Sequence, residues 1–265
     1  MARVRIDGQM AFVLHAHPFS ETSLVVDVFS RDYGRLPLLA RGARRPRSLM
    51  RGNLMAFAPL ELAWFGGGEV KTLAKAEWLG GMPLLSGRCL LLGYYLNELL
   101  VKLLPRDDAH PQLFDAYSDA LRALSNGAED TPELRRFEQA LLKELGYGLT
   151  LDVDAKSGDK VHAEKEYIYW IERGPVEHVA SSVGAGVECR LCIADPLHRR
   201  KGILCETPVS LPSIIGKTLL DMVADDYTDA RTRAESKGLM RQLIAHHLSG
   251  KPLQSRRVFM ELQEL

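Results

Sequence analysis

The chain has 265 residues, 46% of them apolar, and its 34 basic residues are balanced by 34 acidic ones. Domains cluster near ~100–150 residues, so this length suits two of them. The balance excludes a chain that is basic throughout, so any surface for a polyanion has to be local. The opening MARVRIDGQMAFVLH lacks the long apolar core of a signal peptide. The longest apolar run, LLLGYYLNELLVKLL, carries Asn97, Glu98 and Lys102, which makes it a core helix and no membrane span. Four cysteines, one isolated at Cys89, do not form a disulfide framework, and the expected location is cytoplasmic.

The first eighty residues read as β-structure. Ala11–His15 is a short apolar strand, and SLVVDVFS, Ser23–Ser30, is rich in β-branched residues and apolar enough to be buried. RDYG turns the chain into RLPLLA, Arg35–Ala40, where Pro37 confines the strand to an edge or bulge position. Then comes RGARRPRSLMRG, residues 41–52, with five arginines and no acid. APLELAWF, Ala58–Phe65, alternates apolar with polar residues, GGG turns, and VKTLAKAEW, Val70–Trp78, returns. Five short strands with irregular loops predict a small closed barrel.

Helical spacing begins at Leu90, with Leu92, Leu96, Leu99, Leu100 and Leu103 on one face and Pro105 ending it. A second helix is predicted from Pro111 to Leu124. A third starts at Thr131 as N-cap with Pro132 at the first helical position. It carries the stripe Leu134, Phe137, Leu141, Leu145 and stops at Gly146. Residues 151–205 change character, with one strand predicted at Glu166–Arg173 and the other three cysteines. Helices resume at Leu211, and Gly250 and Pro252 separate the last two.

Enzymatic chemistry finds little support. FGGGEVKT lacks the glycine that a phosphate loop needs before its lysine; Val70 stands there. His15, His17, Ser20 and Glu21 sit at a strand end beside a proline, where such residues make turns and caps. His246 and His247 fall near a helix end, where imidazole suits the dipole. No catalytic constellation is expected. For zinc, Cys189-x2-Cys192 is a correct pair, but Cys205 has Gly202 and Pro208 where its partner would stand. His198 is the candidate fourth ligand; the alternative is three plain thiols. No metal is expected to be required.

The arginines are more specific. Tyr33 to Leu60 holds six arginines and not one Asp or Glu. A solvated loop generally mixes signs and uses lysine; this one uses arginine alone, whose planar fork matches phosphate oxygens. Its place between barrel strands points to a nucleic-acid surface. Phe12, Phe29, Tyr33, Phe57 and Phe65 are nearby aromatics, available for base stacking or for the core. The competing expectation is an interaction scaffold whose basic loop meets an acidic protein.

Five strings in order resemble the RecO family of bacterial recombination mediators: AFVLHAHPFSETSLVVDVFSRDYGRLPLLARGARRPRS (11–48), GEVKTLAKAE (68–77), YYLNELLVKLL (94–104), LRRFEQALLKELGYGL (134–149) and GKPLQSRRVF (250–259). The resemblance weakens over 151–235. It implies an α+β protein: an OB-fold nucleic-acid-binding barrel at 1–80, a helical domain at 81–150 and 211–265, and a small zinc-finger-like module inserted at 151–210. It implies binding of single- and double-stranded DNA, strand annealing, and work with RecR and with RecF in some members. It also implies help in loading the recombinase RecA onto DNA coated by single-stranded-DNA-binding protein, whose acidic, Phe-ending tail docks in the helical domain. On this reading Arg35, Arg41, Arg44, Arg45, Arg47, Arg51 and Lys71 contact DNA, with Lys75 extending the patch. Leu134 and Phe137 should aim Arg135 and Arg136 outward or along a groove edge toward the tail, with Arg135 ahead of Arg136 for its terminal carboxylate; the alternative is a surface helix arginine paired with Glu138 or Gln139.

Overall fold

The computed structural model describes residues 5–127, 130–171, 173–178 and 213–263. Two compact units emerge. Met1–Gly148 and Ile244–Leu265 form the first, and Leu149–Leu243 the second.

The first unit opens with five strands: β1 (Arg5–Pro18), β2 (Leu24–Ser30), β3 (Gly34–Ala40), β4 (Leu60–Phe65) and β5 (Lys71–Trp78). They close into a barrel in the order β1-β2-β3-β5-β4, a topology compatible with the OB-fold. Strand β1 is far longer than the apolar core that flags it. Its first half pairs with β4 and its second with β2, and bulges between Ile6 and Gln9 and between Val13 and His15 let it bend round the barrel. Closure is made by a short parallel pairing, Leu38 with Lys71 and Leu39 with Thr72. Pro37 pairs with Asp27 on β2 but lies just before that parallel stretch, where its missing N–H is not called on.

The strands read as continuously apolar because both of their faces are covered. Ala11, Val13, Val26, Val28, Leu36, Leu38, Leu60, Leu62 and Trp64 fill the barrel interior. Phe12, Leu14 and Phe29 point the other way, into the helices. Those helices are α2 (Gly87–Leu103), α3 (Pro111–Ser125) and α4 (Asp130–Glu144), which follow a five-residue α1 (Leu49–Asn53). Phe12 lies 5.4 Å from Phe114 and 5.2 Å from Tyr117, ring centre to ring centre. Asn97, buried on α2, donates from Nδ2 to the Leu14 carbonyl at 2.9 Å and accepts from the Tyr117 hydroxyl. Helix α4 begins at Asp130, so Thr131 lies inside it and is not the N-cap. Its end is as expected: Gly146, at φ +85°, sends its N–H to the Lys143 carbonyl while the Tyr147 N–H reaches Leu142 at 2.8 Å. This paired closure needs a left-handed residue.

The second unit carries β6 (Glu166–Trp170), β7 (Gly174–Glu177) and β8 (Ile214–Ile215) in the order β7-β6-β8, then α5 (Gly216–Val223). Strand β6 stops at Trp170, short of Arg173, because Gly174 starts the returning strand. Asp154 fixes the preceding loop by accepting from the Lys156, Ser157 and Glu177 amides. Helix α6 (Ala230–His247) follows, and its last residues belong to the first unit with α7 (Gln254–Gln263). Among the described residues no helix is long and apolar enough to cross a membrane. Cys189, Cys192, His198 and Cys205 lie outside the described residues, as do 179–210 of the module expected at 151–210. No cluster of three potential metal ligands occurs among the described residues.

Candidate nucleic-acid interface

The arginine loop is held at both ends by uncharged residues. Gly42, at φ +71°, turns the chain so that Ala43 drops into the barrel interior, where it is fully buried. The Arg45 N–H then reaches the Gly42 carbonyl at 3.1 Å, and the Ser48 N–H reaches that of Arg45 at 3.0 Å. Helix α1 ends the loop, and the Asn53 side chain ties it to strand β5 by donating to the Ala76 carbonyl at 2.8 Å. Arg44, Arg45, Arg47 and Arg51 lie between these anchors and Arg41 just before the first, all exposed.

A second loop braces the first. The β1–β2 turn is closed by the Phe19 N–H to Ser23 carbonyl bond at 3.1 Å and by Ser20 Oγ accepting from the Ser23 amide. Arg44 donates from its backbone to the Thr22 carbonyl at 3.0 Å and from Nη1 to the Ser20 carbonyl at 2.6 Å. The two loops are thus joined at Arg44, and its remaining N–H groups stay available.

None of the five loop arginines forms an ion pair with a described residue, whereas the cations around them do. Arg31 grips Asp115 with two bonds, at 2.8 and 3.2 Å. Arg106 lies 3.9 Å from Asp27. Lys75 lies between Glu77 at 2.8 Å and Glu61 at 3.6 Å. The positive field is therefore concentrated on residues 41–51.

Three expected contacts are corrected. Arg35 is buried, and its Nη1 donates to the Leu104 carbonyl at 3.1 Å and to that of Val101. It satisfies the carbonyl end of α2, a favourable place for a cation, and burial lowers its pKa without a phosphate in reach. Lys71 is mostly covered and paired with Asp107, so its charge joins barrel to helices. Lys75 is neutralised as described. Of the expected DNA contacts, the five loop arginines remain exposed and without an ion pair to a described residue.

The helical assignment is reversed. Arg135, expected to point outward, is buried beside Phe137, its Nη2 2.6 Å from Oε1 of Glu138, and Glu138 also accepts from the Tyr95 hydroxyl at 2.6 Å. Positions 135, 138 and 142 recur at helical spacing, so α4 has a second buried face that the leucine stripe hid. Burial raises the Glu138 carboxyl, against the pull of Arg135 and Tyr95. Arg136 is the exposed residue of the pair, with Nη1 2.6 Å from Glu133. Among the aromatics, Phe12, Phe29 and Phe57 are core. Tyr33 meets Trp64 edge-on at 5.3 Å, and Phe65 is half-buried. The turn at 19–23 was expected from Pro18, Ser20 and Glu21, but its bracing of the arginine loop and the anchors Ala43 and Asn53 were not legible, since nothing in their residue types marks them.

A closed five-stranded barrel, joined to a helical layer and presenting an unpaired arginine loop, defines a class of protein suited to meeting a polyanion. The comparisons give the family. The model described as Recombination protein O N terminal matches residues 5–82, and that described as Recombination protein O C terminal matches 86–257. The DNA repair protein RecO of Azoarcus sp. (strain BH72) is 54% identical over 98% of both chains. Those of Aromatoleum aromaticum and Dechloromonas aromatica are 53% identical over 98% of both and 52% identical over 99% of both. The chain belongs to the RecO family.

Proposed function

We propose that this protein acts in DNA repair as a recombination mediator. It binds single- and double-stranded DNA without reading sequence, anneals complementary strands, and helps load RecA onto DNA coated by single-stranded-DNA-binding protein, with RecR as partner and RecF as one in some members of the family. The observation that carries this reading is the loop of five exposed arginines without ionic partners among the described residues, on a barrel compatible with the OB-fold, in a chain of the RecO family.

The physics is that of counterion release. Each guanidinium that meets a phosphate frees condensed cations into bulk solvent, which favours binding and carries no sequence information. Two strands held on one positive surface repel each other less, and their base edges remain free to pair. No covalent step is involved, and zinc enters none of this. On this reading the acidic tail of single-stranded-DNA-binding protein meets the helical part near Arg136, an exposed cation of α4. An Arg136→Ala variant should bind the tail peptide more weakly by calorimetry; unchanged affinity would remove this residue from the site.

Binding to labelled single-stranded DNA, followed by anisotropy across salt concentrations, tests the central reading. Arg44→Glu with Arg45→Glu should abolish tight binding at a cost of only about 1 kcal/mol in stability, since both side chains are exposed, one Arg44 bond to Ser20 is lost and the backbone bond to Thr22 remains. Equal binding by variant and wild type would place DNA elsewhere. A wild type that ignores DNA at low salt but captures acidic proteins would favour the scaffold.

A further inference from the structure

Phe19 sits in the β1–β2 turn with 66% of its surface exposed. Its neighbour Ser20 accepts from the Arg44 guanidinium through its carbonyl at 2.6 Å, so Phe19 lies one residue from a direct contact with the arginine loop. An exposed phenylalanine adds nothing to the core, and turn chemistry does not call for one; Pro18, Ser20 and Ser23 suffice.

The other exposed aromatics differ. Tyr33 packs edge-on against Trp64, Tyr94 against Phe57 at 5.0 Å, and Tyr147 stacks on His247 at 4.1 Å. Trp78 is also exposed, but it follows Glu77, which with Glu61 surrounds Lys75, and acids repel a phosphate chain. Phe19 makes no ring contact with a described residue and has unpaired arginines as neighbours.

We infer that Phe19 is the base-stacking residue of this interface: one base of a single strand lies on its ring while the flanking phosphates meet Arg44 and Arg45. Every base has a π-face, so such a contact binds without sequence preference. It also requires an unstacked base, which a single strand offers and an intact duplex does not. Arginines alone hold both polymers; the ring gives the single strand its advantage. The inference rests on the nucleic-acid reading of the loop and assigns the residue that discriminates between the two polymers.

The test uses the full chain and two probes of equal length, a thymine-tract single strand carrying one 2-aminopurine and a duplex. Phe19→Ala should weaken single-strand affinity about tenfold, leave duplex affinity unchanged, and leave the salt slope unchanged, because no phosphate contact is lost. It should also abolish the quenching of 2-aminopurine on binding. Phe19→Trp should restore affinity, and its own fluorescence should fall as the strand binds. Equal loss on both probes, a changed salt slope, or no loss would overturn the inference while the arginine variant still tests the loop by itself. If the Arg44→Glu, Arg45→Glu variant binds both probes like wild type, the loop is not the DNA surface and both readings fall.

Discussion

Gly34 shows how much a single position can be asked to do. It ends the β2–β3 turn at φ +64°, and a Cβ there would lie 1.7 Å from the Asp108 carbonyl oxygen. Both demands favour glycine: one is conformational, the other is the close approach of the loop after α2. Gly34→Ala should cost about 2–5 kcal/mol in urea unfolding, by adding strain to overpacking. A variant as stable as wild type would show that this loop can move away freely. The turn glycine itself was legible in RDYG; the second demand was not, because Asp108 is distant in sequence. The arginines divide in the same way. Exposure of Arg41, Arg44, Arg45, Arg47 and Arg51 followed from an acid-free loop, but the burial of Arg35 depends on Leu104, a partner that only folding brings near; the Arg135–Glu138 pair, three residues apart, was legible as a pair, and only its burial was not.

At the scale of elements, α7 depends on a residue from α2. Glu98 accepts from the Gln254 and Ser255 amides, each at 2.8 Å, and from the Ser255 hydroxyl at 2.6 Å, so it caps a helix other than its own. Burial works to raise its pKa, but the Lys102 ammonium, the Ser255 hydroxyl and the two amides outweigh it and hold the carboxyl down at about 2. The unfolded group titrates near 4.5. The folded state therefore gains from the ionised form above that pH, and the gain disappears as pH falls toward about 2. Glu98→Gln should cost about 1–2 kcal/mol at neutral pH, with the gap in melting temperature between variant and wild type closing as pH falls from 4.5 to 2. A gap that stays constant would mean that charge is not what this cap uses. Helices α2 and α3 and the Gly146 stop of α4 were visible in sequence because periodicity and cap chemistry are local. The bulges that bend β1, and this borrowed cap, were not, since both are set by partner elements.

For the whole molecule, the zero net charge has a definite meaning. Acids and bases cancel in total while the loop at 41–51 keeps its field, so DNA binding should follow local phosphate contacts and not the overall charge. In the titration proposed above, each neutralised phosphate of a single strand adds about −0.7 to the slope of log affinity against log salt. Five arginines meeting one phosphate each give roughly −3.5, and a slope near zero would contradict the loop as the interface. The first unit is also assembled from two stretches of chain with the second unit between them. Glu98 and the amide it caps at Gln254 are 156 residues apart. At a synthesis rate of ~5–20 residues per second, the carboxylate leaves the ribosome roughly ten to thirty seconds before its partner does. The barrel can close early, but the helical layer beside it stays unfinished until α7 has emerged.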